Sequence, residues 1–168
     1  MTYLPTLVLG LGNPIMGDDG VGVAALEALS RTYEAPPNVT LADGGTWGMQ
    51  LLPMLEDHSR VLFLDAVSAG FPPGSLIRIE GMDIPRRLSQ GKLSPHQVDL
   101  HDILGVLAFK NALPGEMVAL GIEPESVTMW YGLSPVVRDA LPDLVTAALK
   151  QLDHWQHGDG EAGEGCRA

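Results

Sequence analysis

Short apolar runs alternate along the chain with longer segments in which apolar residues recur every three or four positions. The first run, Thr6–Gly12, is apolar throughout and is stopped by glycine, which is typical of a strand buried in a parallel sheet. Four further runs predict strands, at Val39–Ala42, Arg60–Val67, Leu76–Ile79 and Val118–Ile122.

The segments between these runs carry the spacing of amphipathic helices. They predict helices over Asp18–Tyr33, Met49–Leu55, Val98–Lys110 and Pro135–Trp155. In the last helix, Ser134 is the expected N-cap, and Pro142 is expected to kink the helix or end its first segment. Strands that alternate with helices indicate an α/β fold, with a parallel or mixed sheet covered by helices on both faces.

The chain has 168 residues, a length that suits a single domain. We predict one domain over residues 1–155. The remaining segment, 156–168, is glycine-rich, acidic and aperiodic, and we predict that it forms a disordered tail.

The composition is strongly acidic, with 10 Lys and Arg against 21 Asp and Glu and a formal net charge of −11. A surface of this sign repels phosphate backbones, so nucleic acid is not an expected partner. The only cysteine is Cys166, which argues against disulfides, a cysteine-based zinc site and a catalytic Cys–His pair. No basic residue precedes Arg31 and no apolar run reaches the roughly 18 residues of a membrane span, so we expect a cytoplasmic protein without a membrane partner.

A glycine-rich loop, Gly10–Gly22, joins the first predicted strand to the first predicted helix, at the sheet edge where α/β proteins bind ligands. Ile15 stands where a dinucleotide fingerprint requires glycine, and Asp18-Asp19 replaces the Lys-Ser/Thr pair of a phosphate loop. Two carboxylates at a helix N-terminus repel phosphate and favour a cation. A purely structural alternative is a tight turn in which one aspartate, such as Asp18, caps the helix.

Three more residues are candidates for the same sheet edge. Asp65 follows the apolar run of the third strand, and Asp43 ends the second strand in Asp-Gly-Gly, which also reads as a turn. Among the five histidines, only His96 lies in a predicted loop that could fold over this edge. Two carboxylates and one imidazole would make a three-ligand site with open positions, suited to a borderline divalent ion. The chain has no His-Glu-x-x-His and no Gly-x-Ser-x-Gly motif, so the sequence identifies no catalytic nucleophile.

The Gly10–Gly22 loop resembles the opening motif of the NiFe-hydrogenase maturation endopeptidases. The similarity covers residues 5–155 and continues through Asp43–Thr46, Leu64–Val67, Ser94–Gln97 and Leu133–Pro135. The resemblance implies a three-layer α/β/α fold with a twisted, mostly parallel five-stranded sheet. It also implies an aspartyl-type or metal-assisted endopeptidase that removes a C-terminal extension from the hydrogenase large-subunit precursor after nickel insertion.

The resemblance carries the nickel ligands of the family onto Asp19, Asp65 and His96, with Asp18 and Asp43 as possible supporting residues. The family often has Glu where this chain has Asp19, and Asp18 matches the preceding Asp of its usual Asp-Glu pair. It further implies that nickel arrives with the substrate precursor rather than as a resident cofactor. We expect the three ligand side chains to be exposed at the sheet edge, so that truncating them costs little stability.

Two other functions stay open beside the one that the resemblance implies. One is a self-contained metallohydrolase that holds its own Zn or Mn at the same positions. The other is a non-catalytic nickel-checking chaperone that binds the immature large subunit. Metal analysis of the purified protein and a cleavage assay on nickel-loaded precursor separate these alternatives from the processing endopeptidase.

Overall fold

The computed structural model describes residues 3–45, 48–84 and 95–164, without the side chains of 95–99 and 159–164. Its five strands are β1 (Thr6–Leu11), β2 (Val39–Gly45), β3 (Arg60–Ala66), β4 (Leu76–Glu80) and β5 (Glu116–Ile122). Its α-helices are α1 (Val21–Thr32), α2 (Leu52–Glu56), α3 (Pro95–Phe109) and α4 (Pro135–Glu164). Short 3-10 helices at Gly17–Gly20 and Gly48–Leu51 precede α1 and α2. All five predicted strands and all four predicted helices are therefore present.

The strands form one sheet in the order β2-β1-β3-β5-β4. Strands β1, β2, β3 and β5 are parallel, and β4 pairs with β5 in the antiparallel direction at one edge. From β1 the chain passes to β2 on one side and then returns to β3 on the other side. This reversal makes the carboxyl ends of β1 and β3 a topological switch point, where open α/β sheets bind ligands.

Each face of the sheet is covered by a separate hydrophobic core. The pleat sends Val8 of β1 to the core under α1 and α4, and Leu7 and Leu9 to the core under α2 and α3. Every residue of β1 and β3 is buried, which explains why both strands read as continuous apolar runs. The predicted three-layer α/β/α fold is confirmed.

The C-terminal helix differs from its predicted extent. The predicted end at Trp155 is wrong, because α4 continues through Pro142 and past Trp155 to Glu164. An existing helix needs only propagation to grow, which is far less costly than nucleation, so a glycine-rich acidic sequence can still extend it. Pro142 is exposed, so its missing N–H costs one hydrogen bond without disturbing the core. The disordered tail predicted for residues 156–168 is therefore wrong over residues 156–164, whereas the single-domain division stays a prediction.

None of the helices that the structure describes combines the length and the apolar character needed to cross a membrane.

Candidate functional site

Two glycines of the Gly10–Gly22 loop allow the start of α1 to lie directly on the carboxyl ends of β1 and β3. A Cβ on Gly22 would stand 2.1 Å from the carbonyl oxygen of Leu64 and 2.4 Å from that of Leu11. Gly12 has φ +114°, and a Cβ there would stand 1.8 Å from the carbonyl oxygen of Asp19. The glycines therefore bring Gly17–Gly20 against the switch point, as a strand-to-helix turn requires.

Asp19 lies in that 3-10 helix and is 2% exposed. Its Oδ2 accepts a hydrogen bond from the backbone N–H of Asn13 at 3.0 Å. The bond fixes the orientation of the carboxylate relative to the loop that follows β1. The structure thus holds Asp19 in a defined position at the carboxyl end of β1.

Asp65 is the penultimate residue of β3 and is 5% exposed. Its Cα is paired with Gly121 of β5, and its Oδ1 accepts the N–H of Ala66 at 2.8 Å. Because β1 and β3 are neighbouring parallel strands, Asp65 near the end of β3 and Asp19 in the 3-10 helix after β1 lie at the same edge of the sheet. The expectation that these two aspartates are exposed is therefore wrong.

Asp18 points away from this arrangement and holds a distant loop. Its carboxylate accepts the backbone N–H groups of Glu125, Ser126 and Ser134 at 2.9, 3.1 and 2.7 Å, and the Ser134 hydroxyl at 2.8 Å. Neither Asp18 nor Asp19 caps a helix, because the N-cap positions of the 3-10 helix and of α1 are occupied by Met16 and Gly20. The capping alternative is therefore wrong, and Asp18 links the glycine-rich loop to residues 125–134.

Ser134 occupies the predicted N-cap position, since its carbonyl accepts the Arg138 N–H at 2.9 Å. Its hydroxyl, however, donates to Asp18. No sequence signal within either segment indicates this pairing, because the two residues are 116 positions apart. Sequence reasoning therefore missed the Asp18–Ser134 contact, which joins the first and last helices at the site.

The other two predicted residues have different outcomes. Asp43 is exposed at the end of β2, and its Oδ1 accepts the N–H of Gly45 at 2.8 Å, which is the turn geometry that Asp-Gly-Gly favours. His96 is the second residue of α3 rather than part of a loop, and its side chain lies outside the described residues. Its approach to Asp19 and Asp65 is therefore still a prediction.

A cavity of about 350 Å³ opens beside Asp18, between the glycine-rich loop and the start of α4. Its lining includes Gly17, Asp18, Ser126, Trp130, Ser134 and Arg138. Among the side chains that the structure describes, no group of three or more His, Cys, Asp or Glu residues is arranged to hold a metal ion. The described residues thus provide two buried carboxylates, Asp19 and Asp65, and a cavity beside Asp18 whose lining includes neither of them.

Comparisons with known proteins identify the family of this chain. The sequence profile of the hydrogenase maturation protease family matches residues 23–151. The hydrogenase expression/formation protein HupD of Rhizobium leguminosarum bv. viciae is 34% identical over 150 residues, 89% of this chain and 74% of that protein. The hydrogenase 2 maturation protease of Escherichia coli K12 is 36% identical over 149 residues, 86% of this chain and 90% of that protein.

Solved structures give the same assignment. The hydrogenase maturating endopeptidase HybD from E. coli superposes with a TM-score of 0.85 at 32% identity, over 90% of this chain and 93% of that one. The NiFe-hydrogenase maturation protease HybD from Thermococcus kodakarensis gives a TM-score of 0.73 at 26% identity, over 88% and 99% of the two chains. With its α/β/α fold and its carboxylate pair at the switch point, this chain belongs to the hydrogenase maturation protease family and is an endopeptidase.

Proposed function

We propose that this maturation protease removes the C-terminal extension from the hydrogenase large-subunit precursor after nickel insertion, and that it acts in the cytoplasm. The observation that carries the proposal is the presence of two buried carboxylates at the carboxyl edge of adjacent parallel strands, Asp65 near the end of β3 and Asp19 in the 3-10 helix after β1. Two anionic ligands at a topological switch point form a site for a cation. The membership of the family supports a hydrogenase precursor as the substrate.

In this proposal Asp19, Asp65 and His96 contribute three ligands to nickel that the substrate brings with it. Carboxylate oxygen and imidazole nitrogen suit a borderline divalent ion, and the remaining coordination positions belong to the substrate. The backbone N–H groups of Asn13 and Ala66 hold one oxygen of each carboxylate in place. Such support reduces the reorganisation that binding of the metal would require.

The proposed reaction is hydrolysis of one peptide bond of the precursor. Water forms a bond to the carbonyl carbon, the C–N bond breaks, and the proton from water goes to the departing amine. A divalent cation beside the bond polarises the carbonyl or lowers the pKa of the attacking water. The contribution of Asp19 and Asp65 is to hold the metal-bearing segment so that this bond is presented at the sheet edge.

Specificity for the loaded precursor follows from the difference in affinity between the two forms. The carboxylates gain a favourable interaction only when the precursor contains a cation, since a metal-free precursor offers them no charge to compensate their burial. We therefore expect the protease to cut nickel-loaded precursor and to leave the nickel-free form intact. We also expect that nickel added to the protease alone does not permit cleavage of the nickel-free form.

The test is a cleavage assay on gels with four combinations of nickel-free or nickel-loaded precursor and untreated or nickel-treated protease. Cleavage only in the two lanes with loaded precursor supports the proposal. Cleavage of nickel-free precursor at the rate of the loaded form would contradict it. Zn or Mn bound stoichiometrically to the freshly purified protease, and needed for cleavage, would favour the self-contained metallohydrolase instead.

A further inference from the structure

Several apolar side chains are exposed together on the loop that Asp18 holds. Met129, Trp130 and Tyr131 are 82%, 71% and 80% exposed. Ile15 of the glycine-rich loop is 53% exposed, and its carbonyl accepts the Trp130 N–H at 3.0 Å. Scattered apolar residues are common on protein surfaces, whereas a group of consecutive exposed apolar side chains marks an interaction surface.

The backbone of this loop is fixed on the glycine-rich loop. The Gly17 N–H donates to the Trp130 carbonyl at 2.8 Å, and the Asp18 N–H donates to the Ser126 carbonyl at 3.0 Å. The Asp18 carboxylate accepts hydrogen bonds on both sides of the exposed residues, from Ser126 and from Ser134. Because the loop is already ordered, a ligand that binds to it loses little additional conformational entropy.

A basic group lies beside the exposed aromatic side chains. Arg138 lines the same cavity as Trp130, is exposed, and donates from Nη2 to the carbonyl of Leu133 at 3.0 Å. Within the described parts of the chain, no carboxylate forms an ion pair with Arg138. The protein as a whole is acidic, with a net charge of −11, so an arginine without an acidic partner is a local exception. Together with the apolar side chains beside it, this arginine is complementary to an apolar peptide that carries a carboxylate.

We propose that Met129, Trp130, Tyr131 and Arg138 form a docking surface for the precursor segment that flanks the scissile bond. Apolar side chains of that segment pack on the aromatic residues, and a carboxylate of the segment pairs with Arg138. Gly17 and Asp18 line the cavity and Asp19 follows them in the chain, so the loop that carries Asp19 also forms part of the wall of this docking surface. This inference rests on the proposed function, because it takes the precursor as the substrate.

The variants for the test are the double substitution Trp130→Ala/Tyr131→Ala and the single substitution Arg138→Gln. Phe109→Ala is the matched control, because Phe109 is 92% exposed and ends α3 at the opposite edge of the sheet. Initial rates are measured against the concentration of purified nickel-loaded precursor, and its affinity is measured separately by biolayer interferometry. Trp130 is also replaced by a photocrosslinking phenylalanine, and the crosslinked precursor peptide is identified by mass spectrometry.

Losing two exposed anchors of a docking surface should raise KM and Kd by at least about tenfold, with kcat within about twofold. Arg138→Gln should raise KM and Kd by only about threefold, because an exposed charge contributes little to binding affinity. Phe109→Ala should leave them unchanged, and the crosslink should fall near the cleavage site.

Unchanged KM and Kd in the double variant, a crosslink elsewhere on the precursor, or no binding of precursor by the unaltered chain would each overturn the inference. Binding that depends on Trp130 and Tyr131 without any cleavage would instead contradict the proposed function and leave the docking surface supported.

Discussion

Two adjacent aspartates at the start of α1 have different surroundings. Asp19 lies at the switch point beside β3, whereas Asp18 accepts four hydrogen bonds from the loop at residues 125–134. Both are at most 2% exposed, so each depends on the groups around it. Of these two neighbouring aspartates, Asp18 therefore stabilises the fold and Asp19 belongs to the candidate site.

We expect Asp18→Ala to lower the free energy of unfolding by about 3 kcal/mol, because it removes the buried carboxylate that accepts four hydrogen bonds from residues 125–134. For a chain of this size the melting temperature should fall by about 6–12 °C, measured by circular dichroism. Asp57→Ala, which removes an exposed carboxylate, is the control and should change the melting temperature little. A melting temperature equal to that of the parent would show that the Asp18 contacts contribute no stability.

The burial of Asp19 and Asp65 decides how they are best tested. Asp19→Asn and Asp65→Asn keep an oxygen that can accept the N–H of Asn13 or Ala66, so the fold should lose less than about 1 kcal/mol. Loss of a supporting residue around a metal typically costs 10–100-fold, so loss of a ligand charge should reduce precursor cleavage by more than about 100-fold. His96→Ala should act similarly, and Asp57→Asn serves as the control in the same cleavage assay. Near-normal cleavage by a folded variant would remove that residue from the site.

At the scale of elements, the contact between α1 and the ends of β1 and β3 brings the glycine-rich loop to the switch point. We expect Gly22→Ala to destabilise the protein by at least about 2 kcal/mol, because the added methyl meets the backbone oxygens of Leu64 and Leu11. Gly105→Ala is a matched helical control, since nothing lies within 4 Å of a Cβ at that position in α3. It should stabilise the protein by about 1 kcal/mol. Urea unfolding measures the free energy of unfolding of both variants. Equal values for Gly22→Ala and Gly105→Ala would refute the close packing of α1 on the ends of β1 and β3.

Helix α4 is attached to the sheet near the far end of the molecule from the site. The indole N–H of Trp155 donates to Glu116 at 2.9 Å, and Arg60 donates to the Trp155 carbonyl at 3.1 Å. Arg60 also pairs with Glu116 at 2.8 Å and lies 5.7 Å from the centre of the Trp155 ring. This cluster joins β3, β5 and α4, so the helix is anchored before its glycine-rich extension begins.

For the whole molecule, the position of this anchor predicts which truncations are tolerated. A chain that ends at His157 retains Leu152 and Trp155, and its melting temperature should stay within about 2 °C of the parent. A chain that ends at Gln151 loses both core residues and should lose at least about 5 kcal/mol, measured by thermal unfolding. A large loss in the longer truncation would show that residues 158–168 pack on the domain.

The element order was predictable because the period of the apolar positions reflects which faces of each strand and helix are buried. The sequence pattern also placed Asp19 and Asp65 at the same sheet edge, since the carboxyl ends of parallel strands coincide there. It could not predict the burial of these carboxylates, because burial depends on how the whole chain packs and not on the local pattern of residues. The end of α4 was missed because composition does not reveal that an anchored helix can extend through a weak helix-forming segment.

The sequence by itself determined the α/β/α architecture, the family and the two aspartates after β1 and β3, because local periodicity and short motifs encode these features. Only the tertiary structure decided that Asp18 holds residues 125–134, that Met129–Tyr131 are exposed beside the site, and that Arg138 lies next to them. Those contacts join segments separated by 107 to 116 positions. Neither segment contains a sequence signal that points to the other, so the pairing follows only from the packing of the first and last helices on one face of the sheet.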